Sequence, residues 1–203
     1  MYINTFVNIN CMEIIAHRIN TLEQLRKLPK EYGAEVDIKC DLNGRLYLQH
    51  DPAKDGESFE DFLKEYHHGT LILDIKDERI ELKILPLLKK YNIFRYFFLD
   101  SSFPMIVKLT KELEEKKVAI RYSEYEEIET PLRMAGKADW VWVDTFTRNP
   151  MSSHDWALLK KNGYKICFVS PELQGQPEKK GTYLKELEKA GIELDAICTD
   201  VEL

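Results

Sequence analysis

Short apolar runs recur along this chain, and most of them stop at an ionisable residue. They fall at residues 13–18, 34–40, 71–76, 96–101, 118–121, 139–144, 164–169 and 195–200. Each is rich in Val, Ile, Leu or Phe and too short to be a buried helix, which reads as a strand. Segments of helical pattern separate most neighbours. Asn20-Thr21 can cap a helix whose Leu22, Leu25 and Leu28 share one face. Residues 58–63, 78–91, 104–116, 152–162 and 183–190 read as further helices, with 125–136 a short helical or irregular return, and Pro86 predicts a kink or break in the third. Strand–helix alternation predicts an α/β protein with a parallel sheet. Eight such units predict a closed (β/α)₈ barrel, a TIM barrel, in a single domain over residues 1–203. The other arrangement is a doubly wound open sheet. No glycine-rich phosphate loop follows the first strand, which weighs against it.

The class of protein is bounded by charge and cysteine usage. A net charge of −6 argues against general nucleic-acid binding, which calls for a basic footprint. An anionic substrate stays compatible with it, because a site can be locally positive. No run approaches the length of a membrane span. Residues Met1 to Met12 show no basic region followed by a long apolar stretch, so no signal peptide is read. Cys11, Cys40, Cys167 and Cys198 are widely spaced and form no CxxC pair. They read as free thiols in a reducing, cytoplasmic setting rather than as a thiolate metal site. The oligomeric state is not legible.

The distribution of charge is more specific than its sum. His17, Arg18, Asp74, Lys76, Asp100, Arg121, Asp144 and Asp200 all lie at or just past the C-terminal ends of apolar strands. In a barrel those ends converge on the mouth where active sites are built. Between them, Glu35, Asp37 and Lys39 alternate with Val36, Ile38 and Cys40, so the charged groups share one strand face. A turn at Asn43-Gly44 reverses the chain, and Leu46-Tyr47-Leu48 returns to deliver His50. Taken by itself this stretch reads as a surface hairpin with a polar outer face, and it is the charged strand ends on either side that point to a site.

Glu35, Asp37 and Asp74 on neighbouring strands would repel one another in a confined mouth. A divalent cation relieves that repulsion, and all-oxygen ligation suits Mg²⁺, Ca²⁺ or Mn²⁺ better than zinc. Ion pairs with Lys39, Lys76 or Arg18 would relieve it too. His17 and His50 come from different strands, and such a pair can serve as acid and base in one turnover. Arg18 and Lys76 would hold negative charge on a substrate. Arg121 either binds a substrate anion or pairs outward with Glu124. Trp140 and Trp142 share strand parity and read as packing under helices, with a pocket lining as the other option. His67-His68 read as solvent-exposed.

As an ordered set these motifs carry a resemblance. His17-Arg18, Glu35-x-Asp37, His50-Asp51 and Leu73-Asp74-Ile75-Lys76 resemble the HR…ExD…HD…EIK pattern of the glycerophosphodiester phosphodiesterase family, within the phospholipase C-like phosphodiesterase barrels. Asn20-Thr21-Leu22 resembles the family's ENT segment, and Ile197-Cys198-Thr199-Asp200 its closing strand. The motifs cover the first 80 residues and the last strand. The resemblance implies a divalent cation on Glu35, Asp37 and Asp74, His17 and His50 as the acid–base pair, and Arg18 and Lys76 near the phosphate. Four departures stand out. Ile19 replaces the glycine that follows His-Arg, the loop before the ENT segment is missing, Asp74 replaces a glutamate as in the related sphingomyelinase D enzymes, and residues 51–70 replace a larger insertion. Such loops read substrate shape.

The function these readings imply is metal-dependent cleavage of a soluble phosphodiester. The nucleophile is water, or a substrate hydroxyl that would give a cyclic phosphate. Two rivals remain at this level: a catalytically altered barrel that binds a phosphorylated ligand, and a barrel lyase or isomerase acting next to a carboxylate with the same cation.

Overall fold

Strands and helices alternate through residues 12–203, the part of the chain that the computed structural model describes. Cys11 and the rest of the stretch read for a leader, up to residue 11, fall outside the described residues. The fold is mixed α/β, with ten strands among the described residues. All eight predicted strand segments are strands, to within two residues at either end. Contacts group the described chain into two compact units, one of residues 15–119 with 201–203, the other of residues 12–14 with 120–200.

The first of these units is built on β2 (Gly33–Cys40). Its early residues run parallel to β1 (Glu13–Ala16), with Ile15 opposite Gly33 and Ala16 opposite Ala34. Its other edge pairs with β5 (Leu71–Ile75), in register from Ala34↔Leu71 to Ile38↔Ile75. β5 continues in parallel to β6 (Tyr96–Leu99). Where β1 stops, β3 (Leu46–Leu48) takes its place beside β2, now antiparallel, with Ile38 opposite Leu48 and Cys40 opposite Leu46. The turn between them is tied by Asp41, whose Oδ1 accepts from the Asn43 and Arg45 amides, and Gly44 takes φ 86°. A two-residue strand, β4 (Glu57–Ser58), extends the hairpin and had no signal in the sequence. Gly56 admits it: a Cβ there would lie 1.9 Å from the Leu48 carbonyl oxygen.

Four helices serve this unit: α1 (Leu22–Lys27), α2 (Phe59–Glu65), α3 (Glu81–Lys90) and α4 (Phe103–Glu112). Thr21 and Gln24 close a capping box on α1. Pro86 does not break α3, which continues on both sides of it. The proline is exposed and costs one backbone bond, to the carbonyl of Leu82, itself on the solvent side. Ile84 and Leu88 keep the helix on the core.

Residues Gly33–Ile38 of β2 are buried on both faces. Parallel strands covered on both sides behave this way. The surface-hairpin alternative for Glu35 and Asp37 is therefore wrong: they are 2% and 1% exposed.

The second unit holds β7 (Ala119–Tyr122), apart from Ala119, together with α5 (Glu129–Arg133), β8 (Trp140–Val143), α6 (Ser153–Lys161), β9 (Lys165–Val169), α7 (Lys180–Lys189) and β10 (Ala196–Thr199). β8, β9 and β10 are parallel, with Trp142 opposite Cys167 and Cys167 opposite Ala196. Val141, Val143, Ile166 and Phe168 are fully buried. Cys167 and Cys198 are buried free thiols as expected, while Cys40, in the first unit, is only half-buried. No helix among the described residues is long and apolar enough to cross a membrane.

Candidate active site

β2 and β5 set the site by register. Asp37 lies directly opposite Asp74, and Glu35 shares the Asp37 face two residues earlier. One oxygen from each of Glu35, Asp37 and Asp74 lies within 4.8 Å of the others, and all three residues are buried. Asp74 Oδ1 has no hydrogen-bond partner. Carboxylates crowded out of water favour their protonated forms. Burial first, then Asp37 and Asp74, hold Glu35 well above the usual carboxylate range. Burial, together with nearby Asp100, pushes Asp74 up to about 7 against the pull of Lys76.

A single divalent cation fits this donor set. All three donors are hard oxygens, and ligands on opposite sides of one Ca²⁺ are about 4.6–5.2 Å apart. The unpartnered Asp74 oxygen is a buried acceptor that such an ion would satisfy.

The neighbours of the carboxylates are individually placed. Asn20 donates Nδ2–H to Asp37 Oδ2 at 2.7 Å, and its own Oδ1 accepts the Asp37 amide at 2.9 Å. Thr21 provides the side-chain cap of α1, so the Asn20 side chain is free of that role and holds Asp37. The Arg18 amide donates to Glu35 Oε2 at 2.6 Å, and the Ile19 amide to the Glu35 carbonyl at 2.8 Å. To aim both amides, Arg18 adopts φ 53°, a left-handed conformation rare outside glycine. Ile19, where the resembled family has glycine, is 1% exposed and joins the core.

Lys76 Nζ lies 2.6 Å from Asp74 Oδ2 and 3.2 Å from Asp37 Oδ1. Against burial, these contacts raise its pKa and keep it charged. Lys39, by contrast, donates to the Asp51 carbonyl. Of the three cations read as counter-ions, Lys76 is the one whose side chain touches the carboxylates.

His50 arrives on the returning hairpin, where the Gln49 amide donates to the Asp37 carbonyl at 2.9 Å. Its Nε2 meets Arg18 Nη2 at 2.7 Å and its Nδ1 meets Asp51 Oδ1 at 3.2 Å. Hydrogen bonds from Lys54 and His50 lower the Asp51 carboxyl to about 2, so it stays ionised. His17 directly follows β1 and is half-buried. The histidines, Arg18, Lys76 and the three carboxylates all belong to the first unit.

Arg121 lies in the second unit, ion-paired with Asp144, which is 1% exposed and also accepts from Gln174 at 3.1 Å. The alternative Glu124 partner is engaged elsewhere, accepting from the Thr147 hydroxyl and the Thr147 and Arg148 amides. Trp140 and Trp142 are buried on β8. His67 is exposed as expected, but His68 is half-buried, bonded to the Leu28 carbonyl and packed against the Tyr66 ring at a tilt of 42°.

Sequence reasoning missed Asn20 and Asp51 as functional neighbours. Asp51 was visible as the second residue of the His50-Asp51 doublet. Asn20 had a competing explanation as a helix cap.

No family model and no curated protein sequence matches the chain. Solved structures do. A glycerophosphodiester phosphodiesterase from Agrobacterium tumefaciens is 14% identical, with a TM-score of 0.68 over 93% of this chain and 96% of that one. A glycerophosphoryl diester phosphodiesterase from Parabacteroides distasonis is 12% identical, with a TM-score of 0.60 over 95% and 84%. An Oleispira antarctica phosphodiesterase, in complex with the product sn-glycerol-3-phosphate, is 17% identical, with a TM-score of 0.62 over 93% of each chain. At these identities the likeness shows a shared fold.

Proposed function

We propose that this chain cleaves a small soluble phosphodiester, using a divalent cation held by Glu35, Asp37 and Asp74 and the acid–base pair His17 and His50. The observation that carries the reading is the buried carboxylate triad, set by the β2–β5 register beside an Arg18–His50–Asp51 chain. Support comes from the fold, shared with three phosphodiesterases across most of their length. The reading takes the chain as the single (β/α)₈ barrel domain expected from its sequence.

When bound, the cation supplies Lewis-acid charge for a phosphoryl group in a site with little water. Arg18 and Lys76 add positive charge for the same group. Arg18 turns from His50 to a phosphate oxygen, which frees His50 Nε2. His50 then takes the proton from the attacking hydroxyl, and Asp51 steadies the imidazolium through Nδ1–H. His17 gives its proton to the leaving alkoxide. The attacking hydroxyl is water, yielding a phosphomonoester and an alcohol, or a neighbouring substrate hydroxyl, yielding a cyclic phosphate. The product bound in the Oleispira antarctica structure makes glycerophosphodiesters the first class to assay.

The test is a panel of soluble phosphodiesters with Mg²⁺ or Ca²⁺, comparing the native chain with His17→Ala and His50→Ala. Turnover that disappears with a chelator and falls by about a hundredfold or more in both variants is expected. Near-native turnover in both would refute the acid–base assignment.

A further inference from the structure

Lys76 stands where a cation is wanted. Its ammonium bridges Asp37 and Asp74, two of the three residues that crowd their ligand oxygens within 4.8 Å. The side chain is 23% exposed and lies over the carboxylates. Its backbone is held separately, the Lys76 amide donating to the Ile38 carbonyl at 3.0 Å. The head group can therefore leave without moving the strand end. It occupies Asp37 Oδ1 and Asp74 Oδ2, which belong to two of the three carboxylates that a divalent ion would use. Two positive charges brought within contact distance in a buried site repel strongly.

We propose that Lys76 is the resident counter-ion of the metal-free chain, and that a divalent cation enters by displacing its ammonium from Asp37 and Asp74; this rests on the metal site proposed above. The device selects by charge. A free monovalent ion carries no more charge than the ammonium it would replace, and the ammonium is tethered to the site. Na⁺ and K⁺ therefore gain nothing by entering, whereas Mg²⁺ or Ca²⁺ doubles the charge facing the carboxylates. Displacement also changes what Lys76 does. Held on Asp37 and Asp74 it stabilises the fold; released, it is an uncompensated ammonium at the strand end, ready for an anionic group on a substrate. Occupancy by the ion and readiness to bind a phosphate become one event.

Calorimetric titration of chelator-stripped protein with MgCl₂ or CaCl₂, at one fixed pH, tests this in the native chain and in Lys76→Met and Lys76→Gln. Loss of the competing ammonium is expected to tighten divalent binding by about tenfold or more. It also lowers the melting temperature of the metal-free variants, and the ion restores it. Unchanged or weaker binding in folded variants overturns the proposal while leaving the metal site standing. No binding to native protein or variants overturns the metal reading and this inference together. Should both variants fail to fold, reductive methylation of the native chain gives the answer, read as the labelling rate of the Lys76 peptide. Faster labelling with CaCl₂ than with an equal ionic strength of NaCl supports displacement, and equal rates overturn it.

Discussion

Arg18 donates a hydrogen bond to Nε2 of His50 across 2.7 Å. The direction is forced, because arginine carries donors only and keeps its proton in proteins. Nε2 therefore accepts, and the ring is neutral with its hydrogen on Nδ1, facing the ionised Asp51. Sequence order gives no hint of which imidazole nitrogen holds the proton. Here a cation on one side and a carboxylate on the other decide it, in favour of the tautomer that the proposed role of His50 as base requires.

Asp51→Asn weakens that preference. The expected result is a fall in turnover of about tenfold or more with little change in KM, since Asp51 acts through His50. Nitrogen-15 spectra of His50 should show the Nδ1-protonated tautomer in the native chain and a mixture in the variant. An unchanged tautomer with unchanged turnover would exclude the orienting role.

Asn20→Ala removes the two side-chain hydrogen bonds that Asn20 makes to Asp37. Divalent affinity should fall by about 10- to 100-fold, the usual cost of losing a group that orients a metal ligand. Because the Thr21–Gln24 capping box is untouched, the melting temperature of the metal-free protein should change little. A large loss of stability without loss of affinity would make Asn20 a structural residue only.

Divalent binding should release protons. Asp74 is pushed up to about 7 in the metal-free chain, and Glu35 lies well above its ordinary range. An ion needs both ionised. Affinity should therefore climb as pH rises towards and through about 7, where Asp74 loses its proton. Calorimetry in two buffers of different ionisation enthalpy counts the protons. The same shift bears on stability with a defined sign. A carboxyl whose folded pKa is raised opposes folding once pH exceeds its unfolded value, and the opposition grows until the folded pKa is passed. Metal-free protein should thus lose stability between about pH 4 and 7, and saturating divalent ion should remove that loss.

Glu81 offers a stability test away from the site's donors. It is fully buried, and neither carboxyl oxygen makes a hydrogen bond. Burial raises its pKa. Replacing it with Met exchanges an unsatisfied acid for an apolar side chain of similar size. A gain of about 1–3 kcal/mol at neutral pH is expected. Linkage makes the gain pH-dependent: below about pH 4.5 the acid is protonated in both folded and unfolded chains, so the advantage should shrink there. Denaturant unfolding at pH 4 and pH 7.5 measures both values, and a destabilised variant at pH 7.5 would mean Glu81 has a partner in solution.

The strands were legible because burial on a sheet demands continuous apolar runs, and the eight segments could be marked from composition alone. His17 and Asp74 were legible as candidates because ionisable groups at the ends of such runs are costly without a use, Glu35 and Asp37 because they alternate with apolar residues, and His50 because the Asn43-Gly44 turn returns it beside them. Pairing was another matter. Alternation along 34–40 was compatible with a surface hairpin, and only the neighbours on both sides of β2 made its polar face an interior one. The β2–β5 register put Asp37 opposite Asp74, and a slip of one residue would have turned Asp74 to the other face. Pro86 looked disruptive because sequence does not say which side of a helix faces solvent. Asn20 and Lys76 both acquired Asp37 as a partner, 17 and 39 positions away. The sequence by itself determined which residues could bury charge; only the tertiary structure decided which charges meet, because that depends on strand register and on side-chain hydrogen bonds between elements far apart in the chain.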